Sequence, residues 1–340
     1  MKILITGSTG LVGSHLSEKL SLLSNEVYAL VRTKSKWEEW VKKASPRAMK
    51  FITPIFGELE NFPMEQLPAD LDAVIHLAAV VHSHSPEEFF KQNSEATKKF
   101  FANLVAHYPT QNRSLKFINV SSLAAHGNNH KDRKHDLPVS SYGKSKLLAE
   151  QFIREQLPKS WSLEIVRPPI VMGERDLAFL EVAKMLKRGY YLAPGNNGDE
   201  LHYSFISVHD LVEFLLNVLN SDNQAQTRTY YPAYPKAIKY DDLCNIIATK
   251  AGFSSPKKYT IPKAAIRPLA VLISFLATSI IPALKNIRLT RDKSNEILAG
   301  SWLTPYQKEQ ALEKKFEYKY DFALTAKMTM AYYKEQGYIK

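Results

Sequence analysis

The sequence has a single cysteine, Cys244, among 340 residues. An intrachain disulfide is therefore excluded, and we expect a protein of a reducing compartment, the cytoplasm. We also expect no signal peptide, because the first predicted strand begins almost at Met1. His82 and His84 lie close together, but no other cluster of metal-ligating residues supports them, so we expect no metal.

Charge is absent from one stretch of the chain. Residues 268–284 carry no charged side chain over 17 positions, which is near the short limit for crossing a bilayer. Three interpretations stay open: a buried helix over the substrate pocket, an interfacial membrane helix with a basic flank, and a transmembrane span. The first two favour an apolar substrate or a lipid-facing site. The basic flank comprises Arg288, Arg291 and Lys293.

Positive charge exceeds negative charge, with a net charge of +11 and an isoelectric point near 9.4. The lysines and arginines are scattered, and no nucleic-acid recognition motif is present. We therefore expect no nucleic-acid partner. A basic surface that attracts anionic cofactors or membranes is the simpler interpretation.

The strongest pattern is at the start of the chain. An apolar run over residues 3–5 predicts a buried strand, three glycines follow it, and helical spacing continues to Leu23. A strand, a glycine turn and a helix form the first half of a dinucleotide-binding unit, whose helix N-terminus attracts phosphates. The residues expected to bind the cofactor here are Gly7, Ser8, Thr9, Gly10, Leu11, Val12 and Gly13.

The ends of the next strands indicate where the rest of the cofactor binds. The second strand, residues 26–31, is followed by Arg32 where an NAD-selective site carries an acidic residue. An arginine there can bind a 2′-phosphate, so NADP(H) is favoured and NAD(H) remains an alternative. After the third strand, residues 50–56, Glu58 or Leu59 could contact the adenine.

Small and polar residues follow the fourth and fifth strands. Leu77, Ala78 and Ala79 leave room for a ligand at the carboxyl edge of a parallel sheet. A long helix is predicted from Phe89 to Tyr108. Ser121 and Ser122 end the fifth strand, where a hydroxyl can hydrogen-bond a substrate oxygen.

Tyr142 and Lys146 are four residues apart, which places both on one face of a predicted helix. A free tyrosine is a poor base at neutral pH. A neighbouring ammonium group and a cationic oxidised nicotinamide are expected to lower the pKa of Tyr142. Tyr142 could then exchange a proton with a substrate hydroxyl or carbonyl while hydride moves to or from nicotinamide.

These motifs together resemble the extended short-chain dehydrogenases/reductases of the epimerase/dehydratase and 3β-hydroxysteroid dehydrogenase-like group. The resemblance implies that Tyr142 is the acid/base, and that Lys146 adjusts the pKa of Tyr142 and binds the ribose. Ser122, rather than Ser121, is implied as the hydrogen-bond donor to the substrate oxygen. It also implies that Asn93 positions a water near the lysine, and it allows a homodimer. The matching stretches are 6–13, 76–79, Asn93, 120–122, 142–146, 167–169 and 205–210.

The expected fold is α/β, a Rossmann-type doubly wound parallel sheet with a smaller C-terminal substrate-binding region. The cofactor domain is predicted over 1–170, with 205–220 returning to it, and the substrate-binding region and closing helices over 171–204 and 221–340. Pro168 is expected near the nicotinamide. Asp210 is interpreted as a charge at a helix N-terminus. No chemistry is visible in the tail from Trp302 onwards.

The sequence predicts an NAD(P)-dependent dehydrogenase or reductase that acts on a secondary alcohol or ketone. In one interpretation this substrate is lipophilic. The alternative is a nucleotide-sugar epimerase with tightly bound NAD, for which Lys184, Lys187 and Arg188 could bind a diphosphate. Leu123 and Ala124 stand where a dehydratase would carry carboxylates, which argues against dehydration. A non-catalytic NADP sensor is the third hypothesis, and the intact Tyr142 and Lys146 argue against it.

Overall fold

The structure is a computed structural model that describes residues 1–108, 114–128, 137–195, 200–222, 226–279, 289–305 and 311–339. The first half contains β1 (Lys2–Thr6), α1 (Leu11–Leu22), β2 (Glu26–Val31), α2 (Lys34–Lys43), α3 (Pro46–Met49), β3 (Ile52–Phe56), β4 (Ala73–His76), α4 (Pro86–Phe89), α5 (Ala96–His107), β5 (Lys116–Val120), α6 (Ser141–Glu155) and β6 (Ser162–Val166).

The second half contains β7 (Ile170–Met172), α7 (Leu180–Lys187), β8 (Tyr190–Pro194), β9 (His202–Tyr203), β10 (Phe205–Ser207), α8 (Val208–Asn220), β11 (Thr227–Tyr230), β12 (Ile238–Lys239), α9 (Tyr240–Ala251), β13 (Lys257–Ile261), α10 (Lys263–Ser279), α11 (Arg291–Leu298), α12 (Ala311–Lys315) and α13 (Phe322–Glu335).

A seven-stranded parallel sheet forms the centre, with strand order β11-β6-β5-β4-β1-β2-β3. Apolar side chains of α1 and α8 pack on one face, and those of α5 and α6 pack on the other. The predicted doubly wound α/β fold is therefore confirmed. The strand order reverses between β1 and β4, and ligands of such sheets bind outside the strand ends at that point.

Two strands differ from the sequence expectation. The third strand begins at Ile52 rather than at residue 50, and Pro54 is tolerated in it because β3 is the edge of the sheet. The seventh strand, β11, comes from residues assigned to the substrate-binding region. It joins the sheet through parallel pairing with β6.

The helix predicted from Phe89 to Tyr108 is interrupted. The chain forms α4, then a π-helical turn over Phe90–Glu95, and then α5. Such turns insert a residue into the helical ladder and are frequent at functional sites. The predicted helical segment is therefore present and ends at His107, but hydrophobic spacing does not reveal the extra residue of this turn.

A separate apolar cluster organises the C-terminal part of the chain. It joins side chains of α7, α9 and α13 with those of β8 and β10. Asp210 lies in the first turn of α8, as predicted, and its carboxylate also accepts hydrogen bonds from the backbone N–H groups of Lys319 (3.0 Å) and Tyr320 (3.1 Å). Asp210 therefore fastens the segment before α13 to the central domain.

The uncharged stretch lies in α10 as far as Ser279, and the rest of it is outside the described residues. Ile266 and Ala270 are buried, whereas Leu272 is 53% and Phe275 57% exposed. The buried-helix interpretation is therefore wrong for the described part, because one side of α10 faces solvent. Among the described helices, none has the length and apolar character needed to cross a bilayer.

Candidate active site

A cleft of about 390 Å³ lies at the carboxyl ends of β1, β2, β3 and β4. It brings together nine of the residues predicted to bind a cofactor. These are Gly7, Thr9, Gly10, Arg32, Glu58, Leu59, Leu77, Ala78 and Ala79. The cleft is also lined by Lys36, Lys91 and Gln92, which no sequence motif indicated.

The glycine loop has no room for side chains at two positions. Gly7 has a φ of 70°, and a Cβ there would lie 2.8 Å from the backbone of Leu77 and Ala78. A Cβ on Gly13 would lie 2.2 Å from the carbonyl oxygen of Gly7. Gly10 precedes α1 without a side-chain cap, so the first N–H groups of α1 are suited to bind phosphate.

Several predicted cofactor residues have other positions. The Ser8 hydroxyl is buried and donates to the Leu30 carbonyl, Val12 packs against the core, and Leu11 lines a neighbouring cleft. Pro168 is buried and its carbonyl accepts from the Leu123 N–H, whereas Pro169 lines the substrate side. The placement of Pro168 near the nicotinamide stays a prediction, since Pro168 lies beside the turn that carries Ser122 and Leu123.

Arg32 follows β2 directly, and Lys36 lies one helical turn further, in α2. Both are exposed and line the cleft. Leu59 also packs against an apolar core cluster, while Glu58 is exposed. The cleft therefore combines apolar residues with two cationic groups beyond the end of β2 and two carboxylates, Glu58 and Glu60, after β3.

Ser122, Tyr142 and Lys146 meet where β5 ends beside α6. The Ser140 hydroxyl caps α6 by accepting from the Gly143 N–H, and the edge of the Phe89 ring packs on Tyr142 at 5.9 Å. Ser122 hydrogen-bonds Tyr142, and Lys146 is buried with its Nζ donating to the Val120 carbonyl at 3.0 Å. The Ser121 side chain is buried outside the pocket, while Ser122 and Tyr142 line it together.

The protein alone raises the pKa of Tyr142 to about 12. Burial is the main cause, the hydrogen bond with Ser122 acts in the opposite direction, and the charge of Glu296 adds to the rise. The expected lowering is therefore wrong for the protein alone, because desolvation of the phenolate outweighs the favourable contacts. Burial also lowers the pKa of Lys146 to about 8.

Asn93 lies in the π-helical turn and is buried. Its Oδ1 accepts from the Val80 N–H at 2.7 Å, and its Nδ2 donates to the Val80 carbonyl and to the Ser145 hydroxyl. Asn93 therefore connects the cofactor cleft, which Val80 lines, to the helix that carries Tyr142.

A second pocket of about 220 Å³ opens beside Tyr142 and has mainly apolar walls. Its lining residues are Ser122, Leu123, Ala124, Tyr142, Pro169, Ile170, Tyr203, Ser204, Lys293, Glu296, Ile297 and Trp302. Four of them come from α11 and the segment after it, where the sequence indicated no chemistry. The proposed diphosphate ligands Lys184, Lys187 and Arg188 do not line this pocket.

The helix α11 is joined directly to the catalytic helix. Asp292 accepts from the N–H groups of Ser141 (2.5 Å) and Tyr142 (3.2 Å), and Glu296 accepts from the Ser140 hydroxyl at 2.8 Å. These bonds span about 150 residues of sequence, so no local motif could reveal them. On the other side, Glu150 of α6 binds the Arg167 guanidinium through two hydrogen bonds.

Among the described residues, His15, Glu174 and His209 bring their ligating atoms within 4.8 Å of one another. The sequence did not single out this group. His209 Nε2 lies 2.8 Å from a Glu174 oxygen, and His15 Nδ1 lies 2.9 Å from the Leu11 carbonyl. These distances are those of hydrogen bonds, and the His15 and His209 rings pack edge to face with centroids 5.6 Å apart, so we interpret the group as a packing contact between α1 and α8.

The model of the NAD dependent epimerase/dehydratase family matches residues 3–231. The chain belongs to this family. The resemblance to extended short-chain dehydrogenases/reductases is thereby confirmed, and the protein is an NAD(P)-dependent enzyme. The uncapped α1 and the two glycines that admit no Cβ fit a dinucleotide in the cleft described above.

Two relatives show the range of the family. N-acetyl-alpha-D-glucosaminyl-diphospho-ditrans,octacis-undecaprenol 4-epimerase of Escherichia coli O157:H7 is 25% identical over 94% of this chain and 95% of its own. Sterol-4-alpha-carboxylate 3-dehydrogenase, decarboxylating, of Dictyostelium discoideum is 26% identical over 51% of this chain and 54% of its own.

The fold is shared with solved structures. UDP-glucose 4-epimerase from Bifidobacterium longum, in complex with NAD+ and UDP, superposes with a TM-score of 0.72. The identity is 16%, and the alignment covers 99% of this chain and 99% of the other.

Proposed function

We propose that the protein is an NADP(H)-dependent oxidoreductase that transfers hydride between nicotinamide and a secondary alcohol or ketone of a lipophilic molecule. The observation that carries the proposal is the pair of cations, Arg32 and Lys36, beyond the end of β2. A carboxylate at this place would bind a ribose 2′-hydroxyl and repel a 2′-phosphate. A guanidinium donates charge-assisted hydrogen bonds to that phosphate, and Lys36 adds a second positive charge.

The proton chemistry follows from the groups around Tyr142. In reduction, the Tyr142 hydroxyl donates its proton to the oxygen of the ketone, and in oxidation the phenolate takes the proton of the alcohol. Ser122 hydrogen-bonds the same oxygen and holds it beside Tyr142. Lys146 would stabilise the phenolate and hold the nicotinamide ribose. The bound cofactor supplies or accepts the hydride.

The lipophilic substrate is supported by the pocket beside Tyr142. Leu123, Ile170, Ile297 and Trp302 give it apolar walls, and its charged groups are Lys293 and Glu296 of α11. The names of the two relatives above include an undecaprenol and a sterol. Both groups are largely hydrocarbon, which agrees with the apolar residues of this pocket.

Epimerisation is the second candidate, because one relative that matches nearly the whole chain is a 4-epimerase. An epimerase returns the hydride to the same molecule and keeps its NAD bound, whereas a reductase exchanges its cofactor in every turnover. The two candidates use the same Tyr142 and differ at the cofactor. Dehydration is not proposed, because Leu123 and Ala124 supply no carboxylate.

Replacement of Arg32 tests the proposal. We expect Arg32→Asp to weaken NADPH binding by about 10- to 100-fold, since charge-assisted bonds are lost and a repulsive charge is introduced. NADH binding should change little. The matched control is Lys34→Asp, because Lys34 is exposed and does not line the cleft.

The measurement is a fluorescence or calorimetric titration of each purified variant with NADPH and with NADH. An Arg32→Asp variant with the NADPH affinity of the wild type would show that Arg32 does not contact the phosphate. Equal losses in both variants would indicate a general effect of charge rather than a specific contact.

A further inference from the structure

The helix α10 exposes an apolar face that the pocket does not use. Pro268, Val271, Leu272 and Phe275 follow helical spacing and, with Arg267, line one shallow groove. Leu269 is also exposed. Contiguous exposed apolar side chains of this size mark a surface that meets a partner or a membrane.

The charges around this face have one sign. The helix α10 contains no acidic residue, and Lys263 and Arg267 are exposed on it. Arg291 and Lys293 are exposed on the neighbouring α11. Both carboxylates of α11 are already engaged, since Asp292 caps α6 and Glu296 bonds Ser140 and Lys293.

The face lies next to the pocket that contains Tyr142. The Arg291 N–H donates to the Ser274 hydroxyl at 3.2 Å, and Arg267 donates to the Asn295 side chain at 3.3 Å. These bonds fix α10 on α11, which forms one wall of the pocket. His84, in the segment after β4, reaches the same Ser274 at 3.4 Å.

We propose that α10 binds the surface of an anionic phospholipid bilayer. Pro268, Val271, Leu272 and Phe275 would enter the region between head groups and acyl chains, while Arg267 and Arg291 contact lipid phosphates. An apolar face beside cations matches such a surface, whereas a protein partner would have to supply acidic groups for Lys263, Arg267 and Arg291, Lys293 being paired with Glu296. The pocket behind α11 then lies beside the bilayer in which a lipophilic substrate resides. Only this last step rests on the proposed function.

Binding to lipid vesicles tests the proposed membrane surface of α10, and the experiment needs no substrate. The wild type should sediment with vesicles of equimolar phosphatidylcholine and phosphatidylglycerol, and more weakly with vesicles of phosphatidylcholine alone. We expect Leu272→Glu and Phe275→Glu each to lower the partition coefficient by about tenfold or more, because an inserted apolar group is replaced by an anion. The control Leu324→Glu changes a leucine that is similarly exposed, on α13, and should bind as the wild type does.

A fluorescent label gives a second measurement that does not depend on the glutamate variants. Cys244 is fully buried, so Leu272→Cys can be labelled at one exposed thiol with an environment-sensitive dye. Its emission should shift to the blue with the anionic vesicles, while the same dye at Leu324→Cys should not respond.

Three results would overturn the proposal. The first is that the wild type does not bind the anionic vesicles, and the second is that Leu324→Glu loses as much vesicle binding as Leu272→Glu. The third is a concentration-dependent dimer that Leu272→Glu dissociates, because this result would assign the face to a second copy of the chain. Titration with NADPH distinguishes a failure of this membrane proposal from a failure of the proposed function. Arg32→Asp should bind vesicles normally, and Leu272→Glu should bind NADPH normally.

Discussion

The cofactor cleft and the substrate pocket are built in different ways. Most of the cleft is formed by short segments that directly follow β1, β2, β3 and β4, and the residues predicted to bind the cofactor lie in these segments. The pocket joins Ser122 and Tyr142 to Tyr203, Glu296 and Trp302, which are distant in sequence. A local motif can therefore indicate a cofactor site, whereas a pocket built by contacts between distant segments leaves no such motif. Tyr142 lines the pocket, and its helix is joined to the cleft through Asn93.

The largest effect is expected at Tyr142 itself. Tyr142→Phe removes the hydroxyl that exchanges the proton, so we expect turnover to fall by about 10²- to 10⁴-fold. NADPH affinity should be retained, because the cleft keeps its glycine loop and Arg32. Steady-state kinetics and a cofactor titration on the same sample check both statements. Undiminished turnover would remove Tyr142 from the mechanism.

A smaller effect is expected at Asp292, which we interpret as a positioning residue. Asp292→Ala leaves the N–H groups of Ser141 and Tyr142 without their acceptor, so α6 loses its alignment with the pocket. We expect kcat to fall by about 10- to 100-fold while the KM for NADPH is unchanged. Asp292→Asn should recover part of the loss, because its amide oxygen still accepts one bond.

Asp321→Ala is the matched control for Asp292, because Asp321 caps α13 by accepting from the Leu324 N–H at 2.7 Å. This control should lose about 1 kcal/mol of stability and keep its kcat. If Asp292→Ala also loses only stability, the cap has no part in positioning Tyr142.

The smallest effect is a shift in pH dependence caused by Glu296. Alcohol oxidation needs the Tyr142 phenolate, so its rate rises as the pH rises through the pKa of Tyr142. The charge of Glu296 raises that pKa, so the neutral Glu296→Gln should move the rising limb to lower pH by up to about one unit. Glu181→Gln, on α7, is the control. A rising limb that stays at the same pH or moves to higher pH in Glu296→Gln would contradict this effect of Glu296 on Tyr142.

Much of the fold could be predicted from the sequence, because strands and glycine turns leave local patterns. The segment after β1 and the paired Tyr142 and Lys146 are examples. The π-helical turn was missed because its extra residue leaves the apolar spacing almost unchanged. The raised pKa of Tyr142 was missed because desolvation depends on the packing of Phe89 and α11 around the ring.

The substrate pocket could not be predicted for a related reason. Trp302 and Glu296 carry no motif. Hydrogen bonds fasten α11, with Glu296, to the start of α6, and the Trp302 indole N–H donates to the Glu296 carbonyl at 2.9 Å. In α10, by contrast, the sequence showed the feature but not its orientation. Its uncharged stretch was visible, but only the structure shows which side of it is exposed.

The most direct test of the central claim is the identity and exchange of the nucleotide in the wild-type protein. Nucleotide released from the purified enzyme should contain no stoichiometric NAD(H), and NADPH should bind about tenfold or more tightly than NADH. A purified protein that carries tightly bound NAD(H) and ignores added NADPH would contradict the account and favour the epimerase.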